Sequence, residues 1–162
     1  MKKISGICLF LVVVIIAHAQ TKTYWSPEQT IKMKNITAVR VSPDGRKVVY
    51  AVREAVMTED RSEYVNHLYL TDANADNSIR LTKGDKNNSN PRWSPDGKWI
   101  AFISNRDSKN NLYILPVGGG ESERLTDVKT GIADFEWSPD GKAIAYTMND
   151  AQSDVEEKNK KA

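Results

Sequence analysis

Three stretches decide the fold: Val41-Ser42-Pro43-Asp44-Gly45-Arg46-Lys47-Val48-Val49-Tyr50, Trp93-Ser94-Pro95-Asp96-Gly97-Lys98-Trp99-Ile100-Ala101-Phe102 and Trp137-Ser138-Pro139-Asp140-Gly141-Lys142-Ala143-Ile144-Ala145-Tyr146. Each holds Ser-Pro-Asp-Gly between an apolar residue and a short apolar run. Proline presets φ at the first central position of a turn, aspartate hydrogen-bonds nearby backbone, and glycine takes conformations that other residues resist. The motif therefore predicts a tight reversal between two strands, and its recurrence predicts a repeat architecture.

Aligned on the turn glycine, the three copies show what the repeat requires. Three residues on stand Val48, Ile100 and Ile144; four on, Val49, Ala101 and Ala145; five on, Tyr50, Phe102 and Tyr146. Side chains alternate faces along a strand, so both faces are apolar and the strand is expected to be buried on both sides. Before the turn, Val41, Trp93 and Trp137 share one slot, and Val39, Pro91 and Phe135 lie two residues earlier on the same face.

Two further strands complete each unit. Leu68-Tyr69-Leu70 matches Leu112-Tyr113-Ile114, and Arg80-Leu81-Thr82 matches Arg124-Leu125-Thr126. The turns are 52 and 44 residues apart, and the difference falls between Tyr50 and Leu68. A polar surface loop is expected there, around Ala55 to Val65. Four strands in about 44 residues, repeated in tandem, mark the blade of a β-propeller. The expected fold is all-β: a partial propeller of four-stranded antiparallel blades, about two and a half of them. Blade 1 covers 36–84, blade 2 covers 85–128, and the first half of blade 3 covers 129–149. Residues 150–162 (DAQSDVEEKNKKA) are a charged loop or tail. Closed propellers have roughly four to eight blades, so the chain is expected to be truncated.

Residues 1–19 read as a secretory signal peptide, with Lys2 and Lys3 before the apolar run Ile7 to Ala17 and the small-x-small site Ala17-His18-Ala19. Cleavage would leave Gln20 first, remove Cys8, the only cysteine, and leave no stable membrane span. The expected location is secreted, periplasmic or extracellular. The lead-in 20–35 holds a short helix: Ser26 as N-cap, Pro27 in the first turn, Gln29 at the capping-box position, and an end near Lys34. With Ile31 and Met33 as its apolar content, it is expected to be a small docked appendage. Composition is that of a globular chain, 40% hydrophobic and 27% charged. The net charge of +2 resides in Lys2 and Lys3. No basic field remains for nucleic acid, which is excluded as a partner.

The repeats W-S-P-D-G-K-x-I-A-[FY], N-L-Y and R-L-T resemble TolB-like propeller repeats, of the WD40-like kind. They are especially similar to the N-terminal propeller of prolyl oligopeptidase family serine peptidases, in the dipeptidyl aminopeptidase and acylaminoacyl-peptidase branch. Three features fit that branch: a propeller starting soon after the signal and the S-P-E-Q helix, the first turn V-R-V-S-P-D-G-R-K-V-V-Y, and the charged E-E-K-N-K-K segment. The resemblance covers roughly residues 24 to 162. It implies a two-domain enzyme in which a propeller limits which peptides reach an α/β-hydrolase domain bearing a Ser-Asp-His triad. The sequence contains no G-x-S-x-G nucleophile elbow. His67, the only histidine outside the signal, aligns with Asn111 and is expected at a surface strand edge, without a catalytic role. No catalytic, cofactor-binding or metal-binding residue is assigned, and no cofactor is expected.

Other motifs have plainer readings. Asp72-Ala73-Asn74-Ala75-Asp76-Asn77 resembles the opening of a calcium loop, but Asn77 stands at the glycine position and Lys83 at the closing glutamate. A hairpin turn is expected. Gly118-Gly119-Gly120 opens no helix, so a loose turn is expected rather than a phosphate cradle. Glu156-Glu157 resembles the glutamate pair with which dipeptidyl peptidases hold a substrate's N-terminus, yet it sits in a lysine-rich run and reads as solvated charge. Trp93, Trp99 and Trp137 are expected to pack between blades rather than line a sugar or peptide site. Arg40, Arg92, Arg106 and Arg124 are expected to serve local hydrogen bonding. Asn35-Ile36-Thr37 and Asn87-Asn88-Ser89 fit the glycosylation pattern. The leading functional expectation is a propeller fragment of an exported peptidase, gating peptide access to a catalytic domain that this sequence lacks and inactive alone. The alternative is a non-enzymatic TolB-like periplasmic propeller that binds a protein partner. Exposed blade edges are expected to favour self-association.

Overall fold

The computed structural model describes residues 25–150. The expected signal peptide and residues 151–162, with Glu156-Glu157, lie outside the described residues. The Ser-Pro-Asp-Gly turns have one geometry throughout. In the first, Gly45 N–H donates to Ser42 O at 2.9 Å, closing the β-turn, and Ser42 N–H donates to Lys47 O at 2.8 Å. The Ser42 hydroxyl accepts from Lys47 N at 2.9 Å and donates to the Asp44 carboxylate at 2.6 Å, which accepts from Arg46 N at 3.1 Å. The other two copies repeat the serine and aspartate side-chain bonds at the same distances, and their serine N–H bonds measure 2.9 and 2.8 Å. Every residue type in the motif thus has a task. The glycines have φ of +72°, +71° and +69°, where a side chain would be strained. Each turn also lies against the one before it. A Cβ on Gly97 would sit 3.6 Å from Pro43 Cδ, and one on Gly141 would sit 3.5 Å from Pro95 Cδ.

The turns join the first two strands of three antiparallel sheets. β1 (Asn35–Val41), β2 (Lys47–Met57), β3 (Ser62–Asp72) and β4 (Ser78–Arg80) form the first sheet in that order. β5 (Asn88–Trp93), β6 (Trp99–Asp107), β7 (Lys109–Pro116) and β8 (Glu123–Arg124) form the second. β9 (Ile132–Trp137) pairs with β10 (Ile144–Met148) in the third. Registers are equivalent: Ala51 faces Leu68 across the first sheet, and Ile103 faces Leu112 across the second. The Arg-Leu-Thr motif ends each completed sheet. Leu81 N–H donates to Leu68 O and Leu125 N–H to Leu112 O, both at 2.8 Å. The Thr82 and Thr126 hydroxyls then accept from Leu68 N and Leu112 N at 2.9 Å, replacing the carbonyl that a longer strand would supply.

The extra residues of the first unit form strand rather than loop. β2 and β3 pair without interruption from Lys47↔Asp72 to Met57↔Ser62, and Thr58 N and Arg61 O close the reversal at 2.8 Å. Val56, Tyr64 and Val65 are β-branched or aromatic residues that suit an extended hairpin, which is why the polar-loop expectation fails. The helix α1 (Pro27–Ile31) has the expected capping box, with Ser26 Oγ accepting from Gln29 N at 3.2 Å and Gln29 Oε1 accepting from Ser26 N at 3.0 Å. It is shorter than expected, and it buries no residue. Ile31 and Met33 remain exposed, so α1 is not docked on the sheets.

Packing follows the repeat. Val49, Ala51, Leu68 and Leu70 on one face of the first sheet meet Ile100, Phe102, Tyr113 and Leu115 on the second. Ala101, Ile103 and Leu112 on the other face of the second sheet meet Ile132 and Phe135 of the third. The second sheet alone is buried on both faces, as Ile100, Ala101 and Phe102 are fully inaccessible. Tyr50, the equivalent of Phe102, is only half-buried, and Tyr146 is exposed. Burial of a residue the size of Phe102 contributes roughly 1.5–3 kcal/mol, so these sheet-to-sheet contacts hold the stack together.

Candidate functional site: the inner strand edges

β1, β5 and β9 each stand at the edge of their sheet with one side unpaired. These first strands neighbour one another across the sheets, β1 beside β5 and β5 beside β9. The polar groups between β5 and β9 form a network. Arg92 donates to Asp134 Oδ1 at 3.2 Å and also pairs with Glu136. Asn90 Nδ2 donates to the same Asp134 oxygen at 2.7 Å, and so does Phe135 N–H at 2.8 Å. The Phe135 amide first, then Asn90 and Arg92, hold the Asp134 carboxyl below the usual aspartate range against the opposing effect of burial. The Arg92 guanidinium lies 5.5 Å from the Phe135 ring centre, and its Nε is buried without a partner. Between β1 and β5 the link differs: Trp93 Nε1 donates to Arg40 O at 3.0 Å. Arg40 itself donates to Val39 O at 2.9 Å.

The sequence contains a signal for this network that residue-by-residue reading misses. Asn90 and Asp134, and Arg92 and Glu136, occupy equivalent positions one repeat apart. Opposite charges at one repeat position become neighbours when the sheets stack. Arg40 and Arg92 are equivalent too, but like charges cannot pair, and the tryptophan-to-carbonyl bond stands there instead. Arg92 is therefore an inter-sheet tie and not a local hydrogen-bonding group.

The remaining motifs are dispersed. His67 is buried, 2% exposed, and lies at no surface edge. Burial first, then the charge of Arg80, pushes its imidazole below the ordinary histidine range, and Nδ1 has no partner. Asn111, its equivalent, accepts from Thr126 Oγ1 and Val128 N at 2.9 Å each, which an imidazole at the same place does not. Residues 73–77 connect β3 to β4, with Ala75 N–H donating to Asp72 O at 2.8 Å and Asn77 Nδ2 to Asp72 Oδ2 at 3.3 Å. Among the described residues no group of three or more acidic, histidine or cysteine side chains could hold a metal. Gly118-Gly119-Gly120 lies in the β7–β8 connection, where Gly119 and Gly120 have φ of +103° and +127°. Trp93 and Trp137 pack against the inter-sheet clusters, and Trp99 is 38% exposed. Among the described residues no helix is long and apolar enough to cross a membrane.

Tandem four-stranded antiparallel sheets, stacked face to face with their first strands adjoining, define a β-propeller domain. Residues 62–161 match the family described as the Tricorn protease N-terminal beta propeller domain, and the chain belongs to that family. An uncharacterised peptidase of Bacillus subtilis, YuxL, is 31% identical over 73 residues, 45% of this chain. The chain spans 11% of that relative's length. A putative TolB from Agrobacterium tumefaciens superposes with a TM-score of 0.55 at 31% identity, over 70% of this chain and 38% of that one. The acylaminoacyl peptidase of Pyrococcus horikoshii shares the fold at a TM-score of 0.66 and 20% identity, over 82% of this chain and 20% of that one.

Proposed function

We propose that this chain is the propeller part of an exported prolyl oligopeptidase family serine peptidase and controls which peptides reach its catalytic domain. One observation carries the reading: residues 62–161, which include the whole second sheet, match a protease propeller family, and a peptidase relative is 31% identical over 73 residues. The inner strand edges support a gating role. They present polar groups on strands with unpaired backbone, and ion pairs tie β5 to β9 at the rim of the apolar contact that Ile132 and Phe135 make with the second sheet. Exposed ion pairs are weak, so these rim side chains can rearrange at small cost while the apolar contact keeps the sheets together. The chain carries no hydrolytic role by itself in this reading. The resemblance to the Agrobacterium protein favours a second one, a TolB-like propeller that binds a protein partner in the periplasm.

The decisive experiment expresses the complete reading frame that contains these residues. Cleavage of dipeptidyl or acylaminoacyl chromogenic substrates, with longer peptides admitted once Arg92 is replaced by alanine, supports gating. A complete protein without hydrolase activity that captures a periplasmic protein supports the TolB-like reading. Export is tested separately by fusing residues 1–19 to a phosphatase that is active only outside the cytoplasm. A fusion without activity refutes it.

A further inference from the structure

A polar concavity lies between the outer part of the first sheet and the β7–β8 connection of the second. It is a groove of about 540 Å³ lined by Arg106, Lys83, Leu81, Leu115, Glu121 and Ser122 among others. Arg106 is held by neutral groups only. Its Nε donates to Ser104 Oγ at 3.2 Å, Nη1 to Ser122 Oγ at 2.6 Å and Nη2 to Asn88 Oδ1 at 3.1 Å. Ser104 and Asn88 are themselves buried, 0% and 1% exposed. The guanidinium lies 4.3 Å from the Tyr113 ring centre and 5.5 Å from that of Phe102. A guanidinium has five N–H donors, and these bonds use three of them. Among the described residues Arg106 has no carboxylate partner, since Asp107 pairs with Arg124 and bonds Tyr113 instead. Glu121 also lines the groove without forming an ion pair with Arg106, and a half-buried, rigidly held guanidinium that lacks a paired carboxylate favours an anion that can reach it.

The repeat supplies an internal control. One unit later, Lys83 and Arg106 correspond to Asp127 and Asp150. The same two positions are both basic at the first junction between sheets and both acidic at the second. The basic pair is therefore a property of this groove and not of the blade design. We propose that the groove binds a ligand with a free carboxylate on a small aliphatic body. Arg106 takes the carboxylate through its unused N–H groups, Lys83 adds charge at the rim, and Leu81 and Leu115 contact the body. This site shares none of Arg92, Asp134 and Glu136 and does not depend on the gating reading.

The test is calorimetric titration of the 162-residue chain with N-acetyl-leucine, leucinamide and inorganic phosphate. Saturable binding of N-acetyl-leucine is expected, with leucinamide and phosphate each weaker by roughly tenfold or more. Arg106→Gln should weaken N-acetyl-leucine roughly tenfold, as should Lys83→Glu, an exposed change that spares the buried network. Asp127→Ala should leave binding unchanged. The proposal is overturned if the wild-type chain shows no saturation, if leucinamide binds equally well, or if Lys83→Glu has no effect. Phosphate binding as tightly as N-acetyl-leucine would also overturn it, in favour of a general anion site.

Discussion

The Ser-Pro-Asp-Gly turns act through single atoms. The serine hydroxyl, followed by the backbone N–H two residues on, holds the Asp44, Asp96 and Asp140 carboxyls below the usual aspartate range. A carboxyl depressed in the folded state contributes stability that is complete above its unfolded value, about 3.9, and fades as pH falls through the folded value. Melting temperature should thus drop on acidification below about pH 4, and Asp96→Asn should flatten that acid limb while lowering stability at neutral pH. The glycines give a second prediction. Gly97→Ala meets Pro43 only at ordinary contact distance, so its cost comes from φ of +71°. Urea denaturation should show a loss of roughly 1–2 kcal/mol. A neutral result would mean that the turn relaxes to negative φ.

At the scale of strands and sheets, the second sheet is the keystone because only it is covered on both faces. Phe102→Ala removes a fully buried ring that stacks on Tyr113 at 5.9 Å between centres. The expected loss is roughly 3–5 kcal/mol, read from the shift of the denaturation midpoint. The Tyr113 hydroxyl is pushed up to about 12, first by burial and then by its bond to Asp107. The sign here is the opposite of the aspartates. A raised folded value favours the folded state at and below the unfolded value of about 10, and that stability is lost as pH rises towards 12. Alkaline unfolding should fall in this window, and Tyr113→Phe should make the curve flatter there. An unchanged alkaline limb in the phenylalanine variant would refute the assignment.

For the molecule as a whole, the arrangement of the sheets rests on apolar faces and on the inner-strand ties. Glu136→Arg places like charge beside Arg92. It should speed amide exchange in β9 and β10 several-fold while leaving β2 and β3 unchanged, because the ion pairs of Arg92 run to the third sheet. The double exchange Arg92→Glu with Glu136→Arg should restore protection. Failure to restore it would show that packing around Phe135, and not charge, governs the contact.

The sequence alone determined the turns, the four-strand unit and the apolar alternation, because these depend on interactions between residues close in the chain or one repeat apart. Ser42, Asp44 and Gly45 complete each other's hydrogen bonds within six residues, and the spacing Leu68 to Leu81 sets one strand against the next. Tertiary structure decided what depends on partners brought from elsewhere. Residues 55–65 became hairpin because β2 and β3 continue to pair. His67 became buried because packing, not strand order, sets exposure. Arg92 became an inter-sheet tie because stacking places Asp134 and Glu136 beside it. Arg106 and Lys83 line one groove for the same reason: each looks like a surface cation until the first sheet is laid against the second.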